Sequence, residues 1–315
     1  MTSGDFYNPG SQQLIREVEQ AGETFRVGYG AGEIVWRRWG VGPALVLAHG
    51  GGGSWLHWIK NIPFLSRHYT IWAPDLPGHG DSDLPSGEVV ELLPGERDDL
   101  VEGSWGGQRP LPIAVSARLI AAGLDRLVPS ERLSLVGFSF GGAVISHVCA
   151  RLPRDRVRNV VLCGTVGLMD HTFGKPQYLQ SWKGIEDREA FRAVHRHNLT
   201  QMLFGDASRI DDLAIDIQIL STRNTRVRRA ERRPTTLDAL MKARPVLSGI
   251  WGSADVTARA GIDAVRAALT KVDPEARLHV VPGAGHWVAY ETADEFNSAL
   301  LTLLARQREP VTDGE

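Results

Sequence analysis

Gly137-Phe138-Ser139-Phe140-Gly141-Gly142 is the stretch on which the reading of this 315-residue chain turns. Directly before it runs LSLVG (133–137), a largely apolar segment of strand length. Directly after it runs AVISHVCARL (143–152), whose apolar positions recur at helical spacing. A strand that turns at once into a helix presents a single side chain at its tip, and here that side chain is Ser139. Glycines two before and two after it keep side chains out of the turn, where the backbone must leave its ordinary dihedral regions. The helix that begins there aims its first amides and the positive end of its dipole at the serine oxygen. G-x-S-x-G alone is a common accident; a strand before it and a helix after it make an ordinary glycine-rich turn the weaker reading.

Outward from this turn, short β-branched runs punctuated by Gly and Pro recur. FRVGY (25–29) and EIVWRRW (33–39) read as a hairpin joined at Gly30-Ala31-Gly32. ALVLAH (44–49), TIWAP (70–74), LSLVG, NVVLCG (159–164), VLSGIWG (246–252) and LHVVPG (278–283) follow. Most of these later runs are unbroken apolar segments, as parallel strands covered on both faces require. Helical patterns lie between them, IAVSARLIAAGLDRL (113–127) among them. The fold class expected is α/β, a mixed, mainly parallel sheet with helices on both faces.

Three segments break the alternation. Residues 1–24 predict a helix over SQQLIREVEQAG ahead of the first strand. Residues 83–110 show no clear period and exceed a simple connection. Their Val89, Val90, Leu92, Leu93 and Trp105 predict an ordered excursion packed on a lid or a neighbouring subunit. Residues 165–244 hold several helical patterns between two core strands and predict that lid. The chain thus divides into core over 1–164, helical lid over 165–244 and core again over 245–315.

Composition narrows the function classes. Lys and Arg total 35 against 37 Asp and Glu, a net charge of -2, which argues against a generic polyanion binder. Arg223, Arg226, Arg228, Arg229, Arg232 and Arg233 crowd one stretch of the lid. They read as a solvated helix face or as a clamp for a substrate carboxylate. With no aromatics interleaved, they do not suggest nucleic acid. No apolar run reaches the roughly 18 residues of a membrane span, so no membrane partner is expected. The amino terminus lacks the pattern of a secretory signal, and Cys149 and Cys163 sit in apolar surroundings as small core residues. A cytoplasmic location follows as the simplest expectation. His195 and His197, spaced H-x-H on a helix, do not converge on a metal, so neither metal nor cofactor is expected. A homo-oligomer stays open.

A serine hydroxyl attacks poorly until a base takes its proton. His286 is the candidate base, in a loop straight after the last strand and between Gly285 and Trp287. The imidazole needs a carboxylate to hold its tautomer. Asp255, at the carboxyl end of the preceding strand, supplies it, with Asp170 as the rival. A tetrahedral intermediate also needs backbone donors. His49-Gly50-Gly51-Gly52-Gly53 follows the strand ALVLA, which makes the amides of Gly51 (or Gly52) and of Phe140 the candidate oxyanion hole. Trp55 and Trp287 are candidates to line a substrate pocket, although large aromatics more often fill core.

HGGGG (49–53), DLPGHGDSD (75–83), GFSFGG (137–142) and GHW (285–287) together resemble the α/β-hydrolase superfamily in order and spacing. The resemblance covers roughly residues 25–164 and 245–310. It implies the α/β-hydrolase fold with an inserted helical lid, a Ser139–His286–Asp255 triad, a small-molecule substrate and structural roles for Asp75 and His79. Within the superfamily, GHWVAYETADEFNSALLTLL (285–304) resembles meta-cleavage-product hydrolases, which cut carbon–carbon bonds. Their glycine loop usually carries a proline, absent here, and a small polar residue usually stands where Phe138 does. HGGGGSWLHW (49–58) instead resembles carboxylesterase and lactonase-like members. The favoured expectation is hydrolysis of an ester or lactone with an apolar or aromatic acyl part. Carbon–carbon hydrolysis and a ligand receptor on the same fold are the alternatives.

Overall fold

The computed structural model describes residues 6–30, 32–85, 111–169, 178–227 and 235–306. Most of the 83–110 excursion, Asp170, and Arg228, Arg229, Arg232 and Arg233 lie outside the described residues. Among those described, eight strands form one sheet: β1 (Glu23–Gly28), β2 (Glu33–Trp39), β3 (Ala44–Ala48), β4 (Thr70–Pro74), β5 (Leu133–Phe138), β6 (Val157–Cys163), β7 (Leu247–Gly252) and β8 (Arg277–Val281). Their spatial order is β1-β2-β4-β3-β5-β6-β7-β8. β2 runs antiparallel to β1 and β4, and every other pairing is parallel. The sheet is the mixed, mainly parallel arrangement expected from the run pattern.

Burial explains that pattern. Every residue of β3, β5 and β7 is buried, so both faces of each strand demand apolar side chains. The edge strands differ. β1 shows Glu23 and Arg26 to solvent and β8 shows Arg277, charges that discourage pairing with another sheet.

Helices cover both faces. In chain order they are α1 (Pro9–Gln20), α2 (Ile62–Leu65), α3 (Ile113–Leu127), α4 (Phe140–Cys149), α5 (Arg188–Met202), α6 (Asp212–Arg223), α7 (Thr236–Ala243), α8 (Ile262–Val272), α9 (Val288–Glu291) and α10 (Ala293–Leu304). α10 shares one apolar core with Leu45, Val136 and Val161, while α3, α4 and α8 share the opposite core with Val46, Leu135 and Val160. α1 starts where Asn8 Oδ1 accepts from the amides of Gly10 (2.9 Å) and Ser11 (3.3 Å), with Pro9 in the first turn. It buries Ile15 and Val18 and packs on α6.

The helices of the 165–244 segment go two ways. α5 packs on α6, and Arg192 ties them to the amino-terminal segment. It bonds Asp216, Asp212 (2.6 Å) and the carbonyl of Phe6 (2.8 Å). Asp216 also accepts from the Asn8 amide at 2.7 Å, so both oxygens of this buried carboxylate have a donor. α7 instead packs against α4 and α8 on the flank of the sheet. The α5–α6 pair touches the loop after β8 directly, where the Trp287 amide donates to Leu203 O at 2.8 Å.

Candidate active site

Ser139 lies between β5 and α4 with φ 52° and ψ −117°, outside the regions an L-residue favours. Such a conformation costs about 1–3 kcal/mol and persists only where its surroundings impose it. They do so here. The Ser139 amide donates to Cys163 O at 2.8 Å, and the Gly142 amide donates to Ser139 O at 3.1 Å. A methyl group on Gly141 would fall 2.3 Å from His49 O, and one on Gly142 would fall 1.9 Å from Thr165 Oγ1. Close packing of α4 against β3 and the end of β6 is therefore what requires glycine after the serine.

His286 Nε2 stands 2.9 Å from Ser139 Oγ, and His286 Nδ1 stands 3.0 Å from both carboxylate oxygens of Asp255. His286 and Asp255 are buried and Ser139 is half-buried, so the hydroxyl faces the wetter side of the group. Burial alone would raise the Asp255 pKa. The adjoining His286 charge and hydrogen bonds from His286 and Thr257 outweigh it, leaving the carboxyl below its ordinary value and ionised. An ionised Asp255 accepts a hydrogen bond from His286 Nδ1–H, which fixes the proton on Nδ1 and leaves Nε2 as the acceptor facing the serine. The expected separation of roughly 2.6–3.2 Å between hydroxyl and base is met.

Thr257 belongs to this cluster and was not among the candidates read from sequence. Its amide (2.8 Å) and its hydroxyl (2.7 Å) both donate to Asp255 Oδ1, and its Oγ1 lies 3.1 Å from His286 Nδ1. The signal was present as Asp-x-Thr, in which an aspartate accepts from the backbone two residues on.

The glycine loop after β3 runs beside the serine turn. A methyl group on Gly50 would lie 3.3 Å from Ser139 Cβ, and one on Gly51 3.4 Å from Phe140 Cβ. Gly51 and Phe140, the candidate oxyanion pair, are thus brought together. The loop closes through the Gly53 amide to Gly50 O (3.1 Å), with Gly52 at φ 71°. Two buried histidines brace it. His57 Nδ1 accepts from the Gly50 amide at 3.2 Å, while His49 Nδ1 donates to Gly50 O and its Nε2 accepts from the Leu76 amide, both at 2.8 Å. Burial holds both rings neutral, His49 down to about 4 and His57 well below its usual value, and a neutral ring can accept. Phe138 packs its ring 4.9 Å from that of His286 and 5.4 Å from that of His57.

Asp75 and His79 take structural positions. Asp75 accepts from the amides of Trp55 (2.9 Å) and Asp81 (3.0 Å) and from Arg37 (3.0 Å). His79 is buried beside Pro77 O. Trp55 and Trp287, the candidate pocket residues, are both core-packed. Trp55 stacks near Trp39 with Arg37 over its face, and Trp287 lies among His57, Phe204 and Tyr290 while its Nε1 donates to His57 O at 3.0 Å. Arg223 and Arg226, the described arginines of the crowded stretch, are also engaged. Arg223 covers Phe6 and Phe191, and Arg226 bonds the carbonyls of Gly80 (3.2 Å) and Ser82. Among the described residues no three His, Cys, Asp or Glu cluster as metal ligands, and no helix is long and apolar enough to cross a membrane.

A sheet of this order, with a serine at a positive φ after β5, a carboxylate after β7 and a histidine after β8, defines an architecture with known members. The sequence profile of the Alpha/beta hydrolase family matches residues 45–299, and the chain belongs to that family. It is 28% identical over 277 residues to the dihydrolipoyllysine-residue acetyltransferase component of the acetoin cleaving system of Pseudomonas putida, over 84% of this chain and 64% of that protein. The chain therefore spans just under two thirds of that relative's length. It is 29% identical over 288 residues to 2-hydroxy-6-oxo-6-phenylhexa-2,4-dienoate hydrolase of Burkholderia cepacia, over 84% of this chain and 89% of that enzyme. The solved structure of a carboxylesterase from Bacillus subtilis superposes with a TM-score of 0.67 at 18% identity, covering 95% of this chain and 99% of that one, a likeness of fold.

Proposed function

We propose that this chain is a serine hydrolase that cleaves an ester or lactone of a small apolar or aromatic acid through an acyl-enzyme. The observation that carries the reading is the chain of contacts from Ser139 through His286 to an ionised Asp255, at 2.9 and 3.0 Å. Ser139 Oγ attacks the carbonyl as His286 Nε2 takes its proton. Asp255 steadies the imidazolium, and the amides of Gly51 and Phe140 receive the developing oxyanion. His286 gives its proton to the leaving group, then takes one from the water that releases the acid. The α5–α6 pair, docked on the loop that carries His286, forms the lid that selects the substrate.

Carbon–carbon hydrolysis of a dienoate is the second reading, favoured by the Burkholderia cepacia relative. It needs a cation for the substrate carboxylate, and Arg223 and Arg226 are already occupied by rings and carbonyls. We expect kcat/KM on a nitrophenyl butyrate or benzoate to exceed that on 2-hydroxy-6-oxo-6-phenylhexa-2,4-dienoate by at least tenfold. The reverse ratio would establish the second reading.

Thr257→Val tests how Asp255 is held. The substitution keeps the shape and the backbone donor but removes one hydrogen bond to a carboxylate, worth about 1.5–3 kcal/mol. We expect kcat on the preferred ester to fall about tenfold with KM little changed, and Thr257→Ser to restore most of it. A kcat for the valine variant within twofold of the parent would show that the hydroxyl is idle.

A further inference from the structure

At the end of the sheet away from Ser139, a cleft of about 170 Å³ is lined by Arg132, Arg154, Arg158 and Arg244 above a floor that includes Val157 and Pro245. Arg132 precedes β5, Arg154 and Arg158 flank the start of β6, and Arg244 precedes β7. Ser139 closes the other end of β5, about 20 Å away for a six-residue strand. The cleft is separate from the candidate active site.

Four arginines lining one concavity place like charges near one another, and in a chain of net charge -2 nothing in the composition forces them together. Elsewhere in the molecule arginines are matched with acids, as in Arg37 with Asp75, Arg156 with Asp125 and Arg192 with Asp216. Among the described residues, none of the four has a carboxylate within 4.0 Å, although Glu131 and Asp155 adjoin them in sequence. Two are steadied by neutral carbonyls instead. Arg132 Nε donates to Asp155 O at 3.0 Å, and Arg154 Nη2 donates to Lys242 O at 3.4 Å. These contacts orient the forks without neutralising them. Among the described residues the buried Arg158 Nε has no hydrogen-bond partner, a donor that leaves free energy unrecovered until an acceptor reaches it. Arg244 holds φ 48° at the end of α7, where glycine is the commoner residue.

We infer that this cleft binds a small oxyanion carrying two or more negative charges, a phosphate group or a short dicarboxylate. Guanidinium forks match both geometries bidentately. The concave shape and apolar floor suit a compact ligand with a short carbon or phosphoryl body better than a flat charged surface.

The test is calorimetric titration of the full chain with inorganic phosphate and, separately, with succinate, at constant ionic strength set with chloride. We expect saturable binding of at least one of them, weakened at least tenfold in the Arg154→Gln/Arg158→Gln variant. Which anion binds distinguishes the phosphate from the carboxylate source. Arg244→Gln, a substitution of an exposed side chain, serves as a second variant and should weaken binding severalfold if the double variant is unstable. Labelling of Ser139 by a fluorophosphonate should be equal in all these proteins, because the cleft lies at the opposite end of β5. Equal heats in parent and variants, or no saturation at millimolar anion, would overturn the inference. So would sedimentation with phosphatidylglycerol vesicles in the absence of any binding of the free anions, which would assign the arginines to a lipid surface.

Discussion

Ser139→Ala is expected to lower kcat on a nitrophenyl ester by about 10⁶-fold, the scale on which a Ser–His–Asp enzyme loses turnover when its nucleophile is removed. The loss is large because the other groups cannot act alone. His286 Nε2 has Ser139 Oγ as its partner at 2.9 Å, and without that oxygen it has only water to activate. The fold should tolerate the change. Among the described residues the Ser139 side chain makes no other hydrogen bond, and alanine must adopt the same φ of 52° at a similar cost. Thermal melting of the variant should therefore match the parent closely, while a fluorophosphonate should label the parent and leave the variant unmodified. Retention of more than about one per cent of parent kcat would mean that another group attacks the substrate. A parent that resists the phosphonate would point instead to a ligand receptor built on this fold.

The sheet was legible because its central strands are buried on both faces, so an unbroken apolar run marked each of them to within about two residues. The serine turn was legible because its geometry admits few residue types. Strand contact at one side and helix packing at the other leave no room for a side chain at Gly141 or Gly142. His286 and Asp255 could be named because both follow strands and so stand at the same end of the sheet. What the sequence concealed depends on contacts between distant segments. His57 stands close after the glycine loop in sequence, and only the fold shows its Nδ1 holding the Gly50 amide. Trp55 looked equally able to line a pocket or fill core. Its burial against Trp39 and Arg37 follows from the β2 register, which no local pattern encodes. The packing of the 165–244 helices was similarly hidden. α7 has an amphipathic pattern like that of α5, yet it packs with α4 and α8 because its apolar face meets theirs. The four arginines of the distal cleft are scattered over more than a hundred positions, and strand order alone assembles them.

The second large effect is on stability, and it arises from buried imidazoles. His49, His79 and His195 are fully or almost fully buried, at 0, 3 and 0% exposure. Burial pushes their pKa values down to about 4, 3 and 4, aided at His195 by the positive Arg223 and Arg192, and it pushes His57 well below its usual value. In the unfolded chain each imidazole titrates near 6.5. Above that pH both states are neutral at these sites and nothing is lost. Between 6.5 and the folded values the unfolded chain binds protons that the folded chain refuses, so stability falls as the pH falls. Each group then removes up to about 1.4 kcal/mol per pH unit. Over two units three such groups remove roughly 8 kcal/mol, comparable with the whole stability of a typical domain. Asp75 and Asp216, whose carboxyls burial pushes up, act in the opposite sense at lower pH. Asp255, held below its ordinary value, adds a further loss only below about 4. The protein is therefore expected to unfold cooperatively between about pH 6 and 4.5 while remaining stable above 7. His195 isolates one contribution, because among the described residues neither of its ring nitrogens has a hydrogen-bond partner and its ring packs against Trp182 and Phe191. His195→Leu should leave stability at pH 7.5 within about 1 kcal/mol of the parent and make the decline below pH 6.5 shallower by one proton. Urea titrations at pH 7.5, 6.5 and 5.5 on both proteins would measure it. Equal parent midpoints at 7.5 and 5.5 would show that these imidazoles are not held neutral, and parallel declines in parent and variant would remove His195 from the account.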